Sequence, residues 1–335
     1  MNPPLSHSTH LPDPFPTTFE PLHAFSRRNM VVFRVHSSSS FSPLIWSGHK
    51  DTSGFCSLDL HLACLSPDSH TRTFGAHRGG GDGWADGAWI VHSMVDHICQ
   101  KPKSTCMFIP STLEERPSTP EDEKSPWISA SRSLTWCIWE IARRLCLQLP
   151  NPDSEPDRQS PHNLVQLAII KHHSGTVGLA DHRRRYLELH FSPSDRIRKA
   201  LQSAGRNGLT VSVKDAFETA YTASMCCEEV LYYGRIFAEN IASNLEFTTH
   251  ILPLDLPLHF LRPGAPNLAR EKITSTARSL SSPSTSTADE SKKIQDNLHG
   301  WLAQLVWDPR VDSSETAYMK IAERKLQIRL LGGEK

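Results

Sequence analysis

One stretch, YLELHFSPSDRIRKALQSAGRNGLTVSVKDAFETAYTAS at residues 186–224, constrains the fold of this chain more than any other. Its opening, within RRYLELHFS (184–192), reads as a strand. Ser192 or Ser194 then supplies an N-cap, a side-chain oxygen that accepts from the backbone N–H groups left open at a helix start. Ile197, Ala200 and Leu201 follow on one helical face, and Gly205 and Gly208 end the helix. The next segment, 209–237, begins extended and becomes a long helix with Val213, Phe217, Ala220 and Ala223 at helical spacing.

The same alternation runs through the rest of the chain. VVFRVHSS (31–38) reads as a strand. ADGAWIVHSMVDHICQ (85–100) contains an amphipathic helix beginning just after Gly87, with Trp89, Ile90, Met94, Val95 and Ile98 on its apolar side. WISASRSLTWCIWEIARRLCLQL (127–149) reads as one strongly apolar helix, with Arg143 and Arg144 near the end that suits cations. NLVQLAIIKHH (163–173) is another strand, and NLEFTTHILPLDLPLHFL (244–261) is extended, its prolines fitting a sheet edge. Amphipathic helices are expected at 292–307 and 314–330, with linker-like stretches at 111–126 and 279–291. Most of residues 1–75 is rich in Pro, Ser, His and Thr and carries little periodicity. The class is α/β, or α+β, in three regions: a poorly ordered or mispredicted 1–75, then 76–150 and 151–330.

Charge narrows the partners. Lys and Arg together number 36 and so do Asp and Glu, so no net field draws the chain to nucleic acid or an anionic membrane. No apolar run reaches the roughly 20 residues of a membrane-spanning helix. The N-terminus lacks the charged-then-apolar order of a secretory signal, so the expected compartment is the cytoplasm. The eight cysteines follow no disulfide or zinc spacing and read as small buried apolar side chains. His172, His173, Asp181 and His182 crowd together, but in no ligand spacing; a strand end beside a turn explains them, and no metal is expected. GGGDG (79–83) has no Lys-Ser or Lys-Thr pair behind it and reads as a flexible loop rather than a phosphate cradle. No Gly-x-Ser-x-Gly elbow marks a hydrolase, and Trp127, Trp136 and Trp139 read as core.

The order of the segments carries a resemblance. An Asp-Gly loop (Asp86–Gly87) opens a helix; a later helix and strand lead into HFSPS, ALQSAG and TVSVKDAFETAYTAS. Over about 85–305 the chain is similar to CoA-dependent acyltransferases of the chloramphenicol-acetyltransferase-like fold, in particular to trichothecene 15-O-acetyltransferase-like and alcohol acetyltransferase proteins. The resemblance implies a two-layer sandwich. It also implies transfer of an acyl group from acyl-CoA, as co-substrate without any bound cofactor, to a hydroxyl or amine of a small molecule. The family continues into further strands past the place where this chain stops, so an incomplete second half is expected.

The family's chemistry rests on a His-x-x-x-Asp-Gly motif, whose histidine takes the acceptor's proton as that atom attacks the thioester. Here Asp86 and Gly87 match the Asp-Gly, and the resemblance implies that Asp86 holds the loop through an ion pair while Gly87 permits its turn. Four before Asp86 stands Asp82, a carboxyl of reference value ~3.9 and a far poorer base at neutral pH than an imidazole near ~6.5. His77 pairs with Asp82–Gly83 only at a spacing one residue too long. Three readings stay open. The chain keeps the fold and binds without catalysing; or sequence across 37–80 is foreign to the mature protein and displaces the true histidine; or His77 serves through a loop whose glycines absorb the extra residue. The candidate catalytic residues are His77, Asp82, Asp86 and Gly87, and the alternative to an enzyme is a binding or scaffold protein.

Overall fold

The structure, a computed structural model, describes residues 18–37, 40, 42, 44–45, 53–57, 88–100, 125–147, 164–172, 190–204, 210–247, 256–264, 300 and 302–332. Among these, six α-helices and a six-stranded antiparallel sheet make a mixed α/β protein, with a second sheet of three strands.

Strand β1 (Val31–His36) lies inside the large sheet, and all six of its residues are buried. It pairs with β5 (Val165–Lys171) from Val31↔Lys171 to His36↔Gln166, and β5 pairs with the edge strand β9 (Ile241–Phe247). On its other side β1 meets β4 (Trp127–Ser131), which pairs with β7 (Glu229–Tyr233) and so reaches the short β6 (His190–Phe191). Successive strand residues face opposite ways. Val31, Phe33, Val35, Val165, Leu167 and Ile169 therefore form one face, covered by α1 (Phe19–Arg27), α3 (Leu134–Leu147) and α6 (Ser314–Leu330). On the same face, over Trp127, Leu231 and Tyr233, lie α2 (Ala88–Gln100), α4 (Pro193–Ala204) and α5 (Val211–Cys226).

The opposite face carries Val32, Ile128, Ala130, Ala168, Ile170, Val230 and Tyr232, packed against Phe55 and Ile236. Those two belong to the small sheet of β2 (Leu44–Ile45), β3 (Gly54–Cys56) and β8 (Arg235–Phe237). Gly234, at φ 74°, turns β7 directly into β8, so one run of chain serves both sheets.

Local chemistry sets the element ends. Asn29 takes a left-handed φ of 56° behind α1, its N–H bonding Ser26 and that of Met30 bonding Phe25, the paired bonds of a Schellman close. The next residue starts β1. Ser133 caps α3 by accepting from the Trp136 N–H at 3.2 Å.

That cap corrects the expectation of one helix over 127–149. Residues 127–131 are a buried strand, Arg132 and Ser133 make the turn, and the helix starts only at Leu134. Likewise the long helix expected within 209–237 ends at Cys226, where Glu228 turns left-handed at φ 48° and EVLYY becomes β7. Residues 19–27, for which no element was expected, form α1. Of 292–307 only 300 and 302–307 are described, and Leu305 bridges Leu261 there instead of continuing a helix. The edge strand of 244–261 lies upstream of the prolines. The helix expected at 314–330 forms at those bounds, capped by Ser313. Cys56, Cys137, Cys146 and Cys227 are buried, as small apolar side chains would be, while Cys99 and Cys226 are partly so.

Candidate functional site

His77, Asp82, Asp86 and Gly87 all lie outside the described residues, as do GGGDG, His173, Asp181 and His182. What is described is the helix that follows the first four of them in sequence. α2 starts at Ala88, one residue past Gly87, and its C-terminal half reaches a seam in the large sheet.

The seam runs between β1 and β4. These neighbours share a single register pair, Phe33↔Ser131. Two residues earlier on β4 the Ser129 carbonyl accepts from a side chain, the Arg34 guanidinium, with Nη1 at 2.6 Å. Each side of the seam has its own helices: β4, β7 and β6 lie under α2, α4 and α5, whereas β1, β5 and β9 lie under α1, α3 and α6. Ser129 is the one residue of β4 that is not buried.

α2 lies along β4 through two matched bonds. The Trp127 indole Nε1 donates to Ser93 Oγ at 2.8 Å, and His97 Nε2 stands 2.9 Å from Ser129 Oγ. Four helical residues rise about 6 Å and two strand residues about 6.6 Å, so an i,i+4 pair on the helix meets an i,i+2 pair on the strand. Met94 and Ile98, beside Ser93 and His97, bury the same helix face. With Ser129 as donor, Nε2 accepts and the ring proton sits on Nδ1. A hydroxyl within bonding reach of an imidazole is the arrangement of a nucleophile and its base.

Arg34 brings a positive charge to this seam. It is buried, donates also to the Ser42 carbonyl at 3.0 Å, and lies over the Phe55 ring at 5.0 Å. Among the described residues no carboxylate pairs with it, and its Nε–H has no acceptor. Burial pushes its guanidinium down to about 9, with Arg144 adding to the effect, so it remains charged at neutral pH. Two residues along β1, the buried His36 donates from Nε2 to Asn244 Oδ1 at 3.0 Å and meets Phe55 edge-on. Burial lowers its imidazole to about 4; the Asn244 bond opposes this in part, while Arg34 and Arg144 reinforce it.

A second polar group ties the strand ends together. Arg132 Nη2 donates to His172 Nε2 at 3.2 Å. A guanidinium can only donate, so the ring proton of His172 sits on Nδ1, which donates to Tyr232 Oη at 3.1 Å. The His190 ring lies 4.4 Å from that of His172. Both His172 nitrogens are thus engaged in fastening the β4–α3 turn to β5 and β7. Among the described residues no three His, Cys, Asp or Glu side chains gather as metal ligands, and no helix is long and apolar enough to cross a membrane.

The motif reading did not reach Ser129, His97 or Arg34. Ser129 and His97 are 32 residues apart, and only the helical spacing of Ser93 and His97 hints that both face one strand. No protein-family model, no curated protein and no solved structure matches the chain.

Proposed function

We propose that the chain is an acyl-transfer protein of the CoA-dependent kind, built on a chloramphenicol-acetyltransferase-like two-layer sandwich. It moves an acyl group from CoA to the hydroxyl or amine of a small molecule. The observation that carries this reading is the His97 imidazole, 2.9 Å from Ser129 Oγ at the seam, on the helix that begins behind Asp86–Gly87. Acyl transfer needs a base that removes a proton as the new bond to carbon forms, and imidazole suits that task near neutral pH. Arg34 holds the Ser129 main-chain carbonyl from the opposite face of the sheet, beside Phe55, and so steadies the strand that carries the hydroxyl.

The test is thiol release from acetyl-CoA by the 335-residue chain, with a panel of small alcohols and amines. Release that depends on the acceptor is expected. No release at any pH, either by the wild type or by Asp82→His, refutes an enzyme. A second reading, binding without turnover, is favoured by Asp82 standing where the motif has histidine. Calorimetric binding of CoA together with no thiol release selects it.

A further inference from the structure

We propose that the outer face of α6 is a homodimer interface, on which a second copy of this chain packs its own α6 antiparallel about a two-fold axis between Ala322 and Glu323. At about 3.6 residues per turn, Ala317, Ile321 and Ile328 share one side of α6, and they are buried in the core. Met319, Leu326 and Leu330 share the opposite side, and each is more than half exposed. A helix apolar on one side is satisfied by the fold beneath it, whereas one apolar on two sides needs cover on both.

The helix is held so that this stripe faces outward. Lys320 reaches Asp312 at 2.8 Å, Arg324 donates to the Leu261 carbonyl at 3.2 Å, and the Tyr318 and Ser133 hydroxyls meet at 2.6 Å. Lys320, Arg324 and Tyr318 all stand off the line from Met319 to Leu330. The stripe is therefore fixed before any partner arrives, which lowers the entropy cost of association.

A two-fold interface requires a patch that complements its own copy, and this stripe does so in one orientation. With the axis between Ala322 and Glu323, Met319 lies over Leu326 of the second copy, and Leu330 lies over the methyl of its Thr316. The exposed Ala322 at the centre is small enough to let the helices approach closely. Glu315 in the first turn falls beside Arg329 in the last turn of the second copy, on the same flank, and the symmetric pair repeats this at the other end. Parallel helices would instead set Glu315 against Glu315 and Arg329 against Arg329, with their dipoles aligned. Two helices of 17 residues, each about 25 Å long, make an interface at the small end of the specific range. The dimer is accordingly expected to dissociate at about 10–100 μM.

The test is sedimentation equilibrium of the 335-residue chain between about 1 and 200 μM. A monomer passing to a dimer over that range is expected; a monomer throughout overturns the inference and leaves the face to a different partner. Leu326→Glu is expected to raise the dissociation constant by about 30-fold or more with an unchanged thermal melt, since Leu326 is exposed in the monomer. A dimer that survives Leu326→Glu overturns the choice of face. Glu315→Arg weakens the dimer by about 5-fold, and Glu315→Arg combined with Arg329→Glu restores it, a rescue that a folding defect does not give. No rescue overturns the antiparallel pairing. Mixed Met319→Cys and Leu326→Cys chains are expected to join by a disulfide under oxidation, whereas Met319→Cys chains joining to each other would show parallel helices and refute it.

Discussion

His36 makes the fold sensitive to acid. In the unfolded chain its imidazole titrates at the ordinary 6.5; in the fold, burial lowers it to about 4. Between those values the unfolded chain holds a proton that the folded chain does not, so lowering the pH favours unfolding. The stability tied to the neutral ring is whole above pH 6.5 and drains away as the pH falls to about 4. At about 1.36 kcal/mol per pH unit, the loss by pH 4 is about 3 kcal/mol, a large part of a typical domain's stability. His36→Gln keeps an N–H for Asn244 Oδ1 but binds no proton in this range. Urea unfolding at pH 7 and pH 4, followed by the fluorescence of the buried Trp127, Trp139 and Trp307, measures both chains. The wild type is expected to lose about 3 kcal/mol more than the variant across that interval. Equal losses would refute a buried, neutral His36.

Two further perturbations test the framework. The buried Glu140 carboxylate accepts from Arg143 Nε and Nη2, each at 2.8 Å, and from Arg144 Nε at 2.7 Å. Glu140→Ala strands the buried Arg143 guanidinium and is expected to lower stability by about 3–5 kcal/mol; a urea midpoint within error of the wild type contradicts the triad. At Gly54, φ is 133° and an added Cβ would lie 2.1 Å from the Ile236 carbonyl oxygen. Gly54→Ala is expected to part β3 from β8 and cost about 1–3 kcal/mol in a thermal melt, whereas an unchanged melt contradicts that pairing.

Elements whose signals are local could be read from the sequence. The 314–330 helix has its core stripe within its own residues and its cap, Ser313, immediately before them, and β1 and β5 are short segments rich in apolar and β-branched residues. Segment 127–149 could not be assigned from its apolar character, because a strand and a helix both buried on the same core have similar composition. The Ser131–Arg132–Ser133 turn was the sign, since Ser133 caps the helix and the Ser131 hydroxyl accepts from the Ser133 N–H. EVLYY reads as helix by continuity with α5, but its branched and aromatic residues fit the pleat between β4 and β6. The seam was not legible at all. Arg34, His97 and Ser129 come from three separate elements, and only sheet order and helix packing bring them together.

The most direct measurement compares acetyl-CoA turnover in the wild type, His97→Gln and His77→Ala. If the His97–Ser129 pair performs acyl transfer, His97→Gln lowers kcat by about 100-fold or more with KM for acetyl-CoA little changed. His77→Ala then retains most of the activity. Turnover lost in His77→Ala and preserved in His97→Gln would contradict the account.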